Sequence, residues 1–170
     1  IARLNRDILA LEPDIVTVMY GTNDSYVDQG QQNSRLSAEQ FYQNLTKIVT
    51  ELERIGIQSI LMTEPRFGDH SANNGAGEHP NLRLEKFVDV CRRVAQETDV
   101  PLIDHFRMWT KANSEGTDIG TWTTDQCHPN VAGHKIMADA MLPMLLKAVA
   151  HHSLDGQSEG NSGERATPVP

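Results

Sequence analysis

Three apolar, β-rich runs punctuate this chain: "DIVTVMYG" at Asp14–Gly21, "IQSILMT" at Ile57–Thr63 and "VPLIDH" at Val100–His105. Each pair is separated by a segment long enough to hold a full helix. Hairpins join antiparallel strands through a few residues, whereas parallel neighbours need a crossover of a dozen or more. The spacing therefore predicts a parallel sheet with helices on both faces, an α/β fold with strands near Asp14–Tyr20, Ile57–Thr63 and Pro101–Asp104. The first two runs are apolar on both sides, as strands covered on both faces require.

The intervening segments read as follows. Residues Ile1–Leu11 carry Leu4, Ile8 and Leu11 at helical spacing, and Pro13 ends that pattern. A polar loop runs from Gly21 to about Leu36. Ser37 with Gln40 forms a capping box for a helix that places Phe41, Leu45, Ile48, Val49, Leu52 and Ile55 on one face. A long loop from Glu64 to Asn81 leads to a helix with Leu84, Phe87, Val88, Cys91, Val94 and Ala95 inward. Met108–Thr124 reads mostly as loop. Asn130 caps a last helix over roughly Val131–Ala150. Residues 1–150 thus form one domain. Residues 151–170, rich in Gly, Ser, Glu and Pro, read as a disordered polar tail or linker.

Composition narrows the partners. The net charge is −8 with both signs interspersed, and no basic patch stands out, which disfavours nucleic acid. No apolar run approaches the roughly 20 residues needed to span a bilayer. The two cysteines, Cys91 and Cys127, have no metal-like spacing and leave compartment and oligomeric state open. Glu64, Asp69, His70, Glu78 and His79 share one loop, but in no common ligand pattern, so no metal and no cofactor is expected and a solvated, substrate-facing loop is favoured. Trp109 and Trp122 either line a pocket or lie under a loop.

In a parallel α/β sheet, ligands bind beyond the carboxyl ends of the strands. Two segments fall there: "GTND", Gly21–Asp24, and "DQCHPN", Asp125–Asn130. Gly21 lets the chain leave the strand sharply. Asn23 offers a neutral N–H donor to a developing oxyanion. Asp24 can hold the turn through its own backbone. His128 is pushed to an extended backbone by Pro129, and Asp125 can orient its imidazole so that the other ring nitrogen stays basic. Taken singly, each segment is also what a plain turn or a capping loop looks like.

Taken together, "GTND" after "DIVTVMY" and "DQCHPNVAGH" opening the last helix resemble the third and fifth conserved blocks of the SGNH (GDSL-like) hydrolases, over Ile1 to about Ala150. The resemblance implies a three-layer α/β/α, flavodoxin-like fold and hydrolysis of carboxylic esters, small O-acyl groups on carbohydrate among the substrates. It makes Asn23 an oxyanion-hole donor, His128 the general base, Asp125 its orienting acid and Gly21 the shaper of the turn. The family's nucleophilic serine and a glycine donor precede the third block, and neither is found here. The chain also opens without Met. It is therefore expected to be the C-terminal portion of such a domain, truncated by about two strands and a helix. Ser25, Cys127, Ser71 and Ser114 are the local substitutes for the nucleophile. The rival reading is a non-catalytic α/β binding module that keeps the scaffold.

Overall fold

The computed structural model describes residues 3–160. Its centre is a three-stranded parallel sheet in the order β1 (Ile15–Met19), β2 (Gln58–Thr63), β3 (Leu102–Asp104). Ile15 pairs with Gln58 and Met19 with Met62, while Leu61 pairs with Leu102 and Thr63 with Asp104. All three strands therefore end at one rim.

Alternation along β2 explains why both faces are covered. Leu61 points to one side, with Val18, and meets Phe41, Leu45, Val49 and Leu52 of α3 (Ala38–Arg54) and Phe87, Cys91 and Val94 of α4 (Asn81–Glu97). Ile60 and Met62 point to the other side, with Ile103, and meet Ala140, Met141, Met144, Leu145 and Ala148 of α6 (Val131–Gly160). The period of two in a strand sends neighbouring residues to opposite layers. The result is the three-layer α/β/α arrangement that the alternation of strands and helices predicts. Local signals hold as well. Ser37 Oγ accepts the Gln40 N–H while Gln40 Oε1 accepts the Ser37 N–H, the reciprocal capping box.

Four segments differ from the sequence expectation. The opening helix is only α1 (Leu4–Asp7) and a 3₁₀ turn at Leu9–Leu11, broken at Ile8; Ile1 and Ala2 lie outside the described residues. Leu11 is 74% exposed, so little packing supports a longer helix, and short helices are marginal without it. The loop after β1 begins with one helical turn, α2 (Thr22–Ser25), closed by the Ser25 N–H on the Gly21 carbonyl. Most of the segment expected as loop after Met108 is helical: α5 runs His105–Ser114, started by Asp104, whose side chain accepts the Arg107 N–H. The last helix continues past Ala150 to Gly160. A nucleated helix gains one hydrogen bond for each residue it adds, and polar residues do not forbid that. The rest of the expected tail, 161–170, lies outside the described residues.

Candidate active site

The rim at the carboxyl ends of the strands opens into a cleft of about 550 Å³, lined among others by Asn23, Arg35, Glu64, Ser71, Asp125 and His128. It therefore joins the two motifs, which are separated by about a hundred residues in the chain. Two other hollows lie elsewhere. One is at the amino ends of the strands beside Gly56–Ile60 and Lys147, and one runs along the outer edge of β1.

His128 owes its place to a tight loop. Thr123 bridges Pro129 antiparallel, the Thr124 N–H reaches the His128 carbonyl at 2.9 Å, and the Asn130 N–H reaches the Trp122 carbonyl at 2.9 Å. Asn130 Oδ1 then accepts the N–H groups of Ala132 and Gly133, starting α6. Within this loop Asp125 acts twice. Its Oδ1 accepts the backbone N–H groups of Cys127 (3.1 Å) and His128 (2.8 Å), and its Oδ2 lies 2.8 Å from His128 Nδ1. The backbone N–H of His128, then its ring, hold the Asp125 carboxyl down at about 2. A carboxylate on Nδ1 leaves Nε2 as the free, basic nitrogen. Both side chains are open to solvent, His128 at 77% and Asp125 at 53%.

Asn23 sits on α2, directly off β1. Gly21, at φ +140°, turns the chain there, and its buried Cα packs toward Glu64, Leu84 and Phe87. Burial raises the Asp24 carboxyl, against hydrogen bonds from its own N–H and that of Gly21. Glu64, first residue after β2, reaches under the same turn. Burial raises its carboxyl, while the backbone and side chain of Thr22 hydrogen-bond to it.

Glu64 and Arg35 are the site residues that sequence reasoning missed as such. Glu64 carried a usable signal, since it follows β2 at the same rim as Gly21 follows β1. Arg35 carried none, because it arrives from the far end of a loop. It donates from Nη1 to Asn23 Oδ1 at 3.3 Å and pairs with Asp28 through Nε (2.9 Å) and Nη2 (2.6 Å).

Three other members of the long loop find protein partners. Asp69 pairs with Arg66 and Asn113, Glu78 with Arg83, and His79 with the Gly68 carbonyl and the Asn81 N–H. The two tryptophans do not line the cleft. Trp109 is fully buried and meets Trp122 edge-on at 5.2 Å, beneath the Asp125 loop. Of the local nucleophile candidates, Ser25 is buried and donates to the Thr22 carbonyl, and Ser114 donates to the Lys111 carbonyl on α5. Cys127 packs on Phe67, Leu84, Val88 and Phe106, and burial pushes its thiol up to about 11. Ser71 is the one of the four candidates with a hydroxyl that lines the cleft.

Known proteins resemble this chain in sequence and fold. An isoamyl acetate-hydrolyzing esterase 1 homolog of Bos taurus is 22% identical over 147 residues, covering 81% of this chain and 58% of its own. An acetylxylan esterase of Geobacillus stearothermophilus is 25% identical over 146 residues, covering 83% and 63%. The chain thus spans less than two thirds of the length of either relative. The crystal structure of a lipase/acylhydrolase from Enterococcus faecalis superposes with a TM-score of 0.66 at 24% identity, over 85% of this chain and 67% of that one, and shares the fold. The profile of the GDSL-like lipase/acylhydrolase family matches residues 1–136, from the segment before β1 through the Asp125–His128 loop into α6, and the chain belongs to that (SGNH) family.

Proposed function

We propose that this chain carries the base and an oxyanion donor of an esterase that cleaves small O-acyl esters through a serine acyl-enzyme. The observation that carries the reading is the shared cleft, lined by both Asn23 and a histidine bonded at 2.8 Å to a carboxylate. In this mechanism His128 Nε2 takes the proton of a serine hydroxyl as its oxygen attacks the ester carbonyl. Asp125 on Nδ1 stabilises the imidazolium that forms. Asn23 Nδ2 donates to the oxyanion of the tetrahedral intermediate. His128 then protonates the departing alcohol, and water, deprotonated by the same nitrogen, releases the acid.

The attacking serine and a second oxyanion donor come, in this reading, from a segment outside residues 1–170. Two related proteins are named for acetyl esters, one of isoamyl alcohol and one of xylan, which supports acetyl as the acyl group and an alcohol or carbohydrate as its carrier.

The test is to assay residues 1–170 on an aryl acetate with and without a serine-reactive phosphonate, then to repeat it with the coding sequence upstream included. We expect phosphonate-sensitive turnover only in the longer product, lost on His128→Ala. Turnover indifferent to His128→Ala would overturn the reading. A phosphonate label on Ser71 in residues 1–170 would move the nucleophile into this chain.

A further inference from the structure

An asparagine amide has two ends of nearly equal shape and opposite chemistry, so its hydrogen-bond partners decide which end faces where. For Asn23 this choice matters, because only Nδ2 can donate to an oxyanion. Asn23 is exposed on a single helical turn. The decision falls to Arg35. A guanidinium has donors only, so at 3.3 Å its Nη1 must meet Oδ1 and not Nδ2.

Arg35 is itself fixed from several sides. Its Nε and Nη2 take both oxygens of Asp28, at 2.9 and 2.6 Å, which leaves Nη1 for Asn23. Its guanidinium carbon lies 5.4 Å from the centre of the Tyr26 ring. The backbone beneath is tied back to the same turn: the Arg35 N–H donates to the Tyr26 carbonyl, the Leu36 N–H to the Asp24 carbonyl, and Ser34 Oγ to the Ser25 carbonyl. The loop that leaves α2 thus returns to deliver one anchored donor to Asn23.

We propose that Arg35 is a positioning residue: anchored by Asp28, it turns Oδ1 of Asn23 toward the loop and Nδ2 into the cleft, so that the correct end of the amide meets the substrate oxyanion. This rests on the ester-hydrolase reading above. A charged donor on Oδ1 also polarises the amide and strengthens its N–H groups. Asp28 offsets the charge of Arg35, so the imidazole of His128 is not opposed by a free cation. A lysine cannot replace it, because an ammonium lacks the planar fork that grips Asp28 and reaches Asn23 together.

Two measurements test this. In the esterase-competent product, Asn23→Ala should lower kcat about 100-fold, in the range seen for loss of one oxyanion donor. Arg35→Ala and Arg35→Lys should each lower kcat about tenfold with KM nearly unchanged. Asp28→Asn should lower it in the same direction. The double variant Asn23→Ala/Arg35→Ala should be no slower than Asn23→Ala alone, since Arg35 acts through Asn23. A rise in KM at constant kcat, or multiplying losses in the double variant, would overturn the proposal by making Arg35 a direct substrate contact or an independent element. The second measurement needs no turnover: the side-chain ¹H–¹⁵N signals of Asn23 in residues 1–170. Arg35→Ala should shift both signals and speed their exchange with water, and unchanged signals would overturn the proposal. Absence of turnover in every product would instead count against the ester-hydrolase reading, and the amide signals would still decide the role of Arg35.

Discussion

Asp125 grips His128 at two points, backbone and ring, and this governs its response to pH. Its carboxyl titrates at about 2, below its ordinary 3.8. Because the folded value is the lower one, its contribution to stability is present above pH 3.8 and fades as pH falls through about 2. In His128→Ala the backbone N–H, the larger cause, survives. The carboxyl midpoint followed by NMR should therefore rise only part of the way to 3.8. A complete return would mean that the ring is the main hold. Glu64 behaves in the opposite sense. Burial raises its carboxyl above the ordinary 4.5, so the folded state binds the proton more tightly and stability declines as pH rises through and above that value. Glu64→Gln keeps an acceptor for Thr22 without the buried charge. Its melting temperature should exceed that of the parent at pH 7, and the gap should close near pH 4.5.

Elements hold these residues in place, and the contact between α6 and the turn before the Asp125 loop is a tight one. Gly133, in the first turn of α6, lies so close to the Trp122 carbonyl that a Cβ would overlap it, with Trp109 and Pro129 also near. Gly133→Ala should force the helix start away from the Asp125 loop. Overpacking of this kind costs about 1–3 kcal/mol, read as a lower melting temperature, and it should also lengthen the Asp125–His128 contact in a crystal structure of the variant. Asn130 and the Ser37–Gln40 pair were legible in the sequence because caps are local: the partner lies within three residues. The start of α5 was equally local, with Asp104 as its cap, but the apolar strand ahead of it and the burial of only two apolar side chains, Phe106 and Trp109, along it masked the helical period.

For the whole molecule, the sheet order leaves β1 at an edge, and among the described residues no strand pairs with its outer side. Beside it runs an open hollow of about 420 Å³ lined by Leu4, Ile8, Val16 and Val18. Unpaired apolar edges recruit other chains. Residues 1–170 expressed alone should therefore self-associate, and Thr17→Lys, at the exposed middle of β1, should shift sedimentation toward monomer. His105 adds a pH limit. Its ring is wholly buried with both nitrogens unpartnered, and burial lowers it below 6.5. The unfolded chain takes the proton first, so stability should be full above pH 6.5 and fall as pH drops below it, a trend that His105→Leu should flatten. By itself the sequence determined the parallel three-layer fold and the two rim motifs, because strand period, crossover length and a carboxylate three residues before a histidine are all short-range facts. Tertiary structure alone decided that Trp109 supports the loop from below, that Glu64 braces the turn from β2, and that Arg35 reaches Asn23. Those relations depend on how far a folded loop returns and what packs beneath it, and no local pattern in the chain encodes that distance.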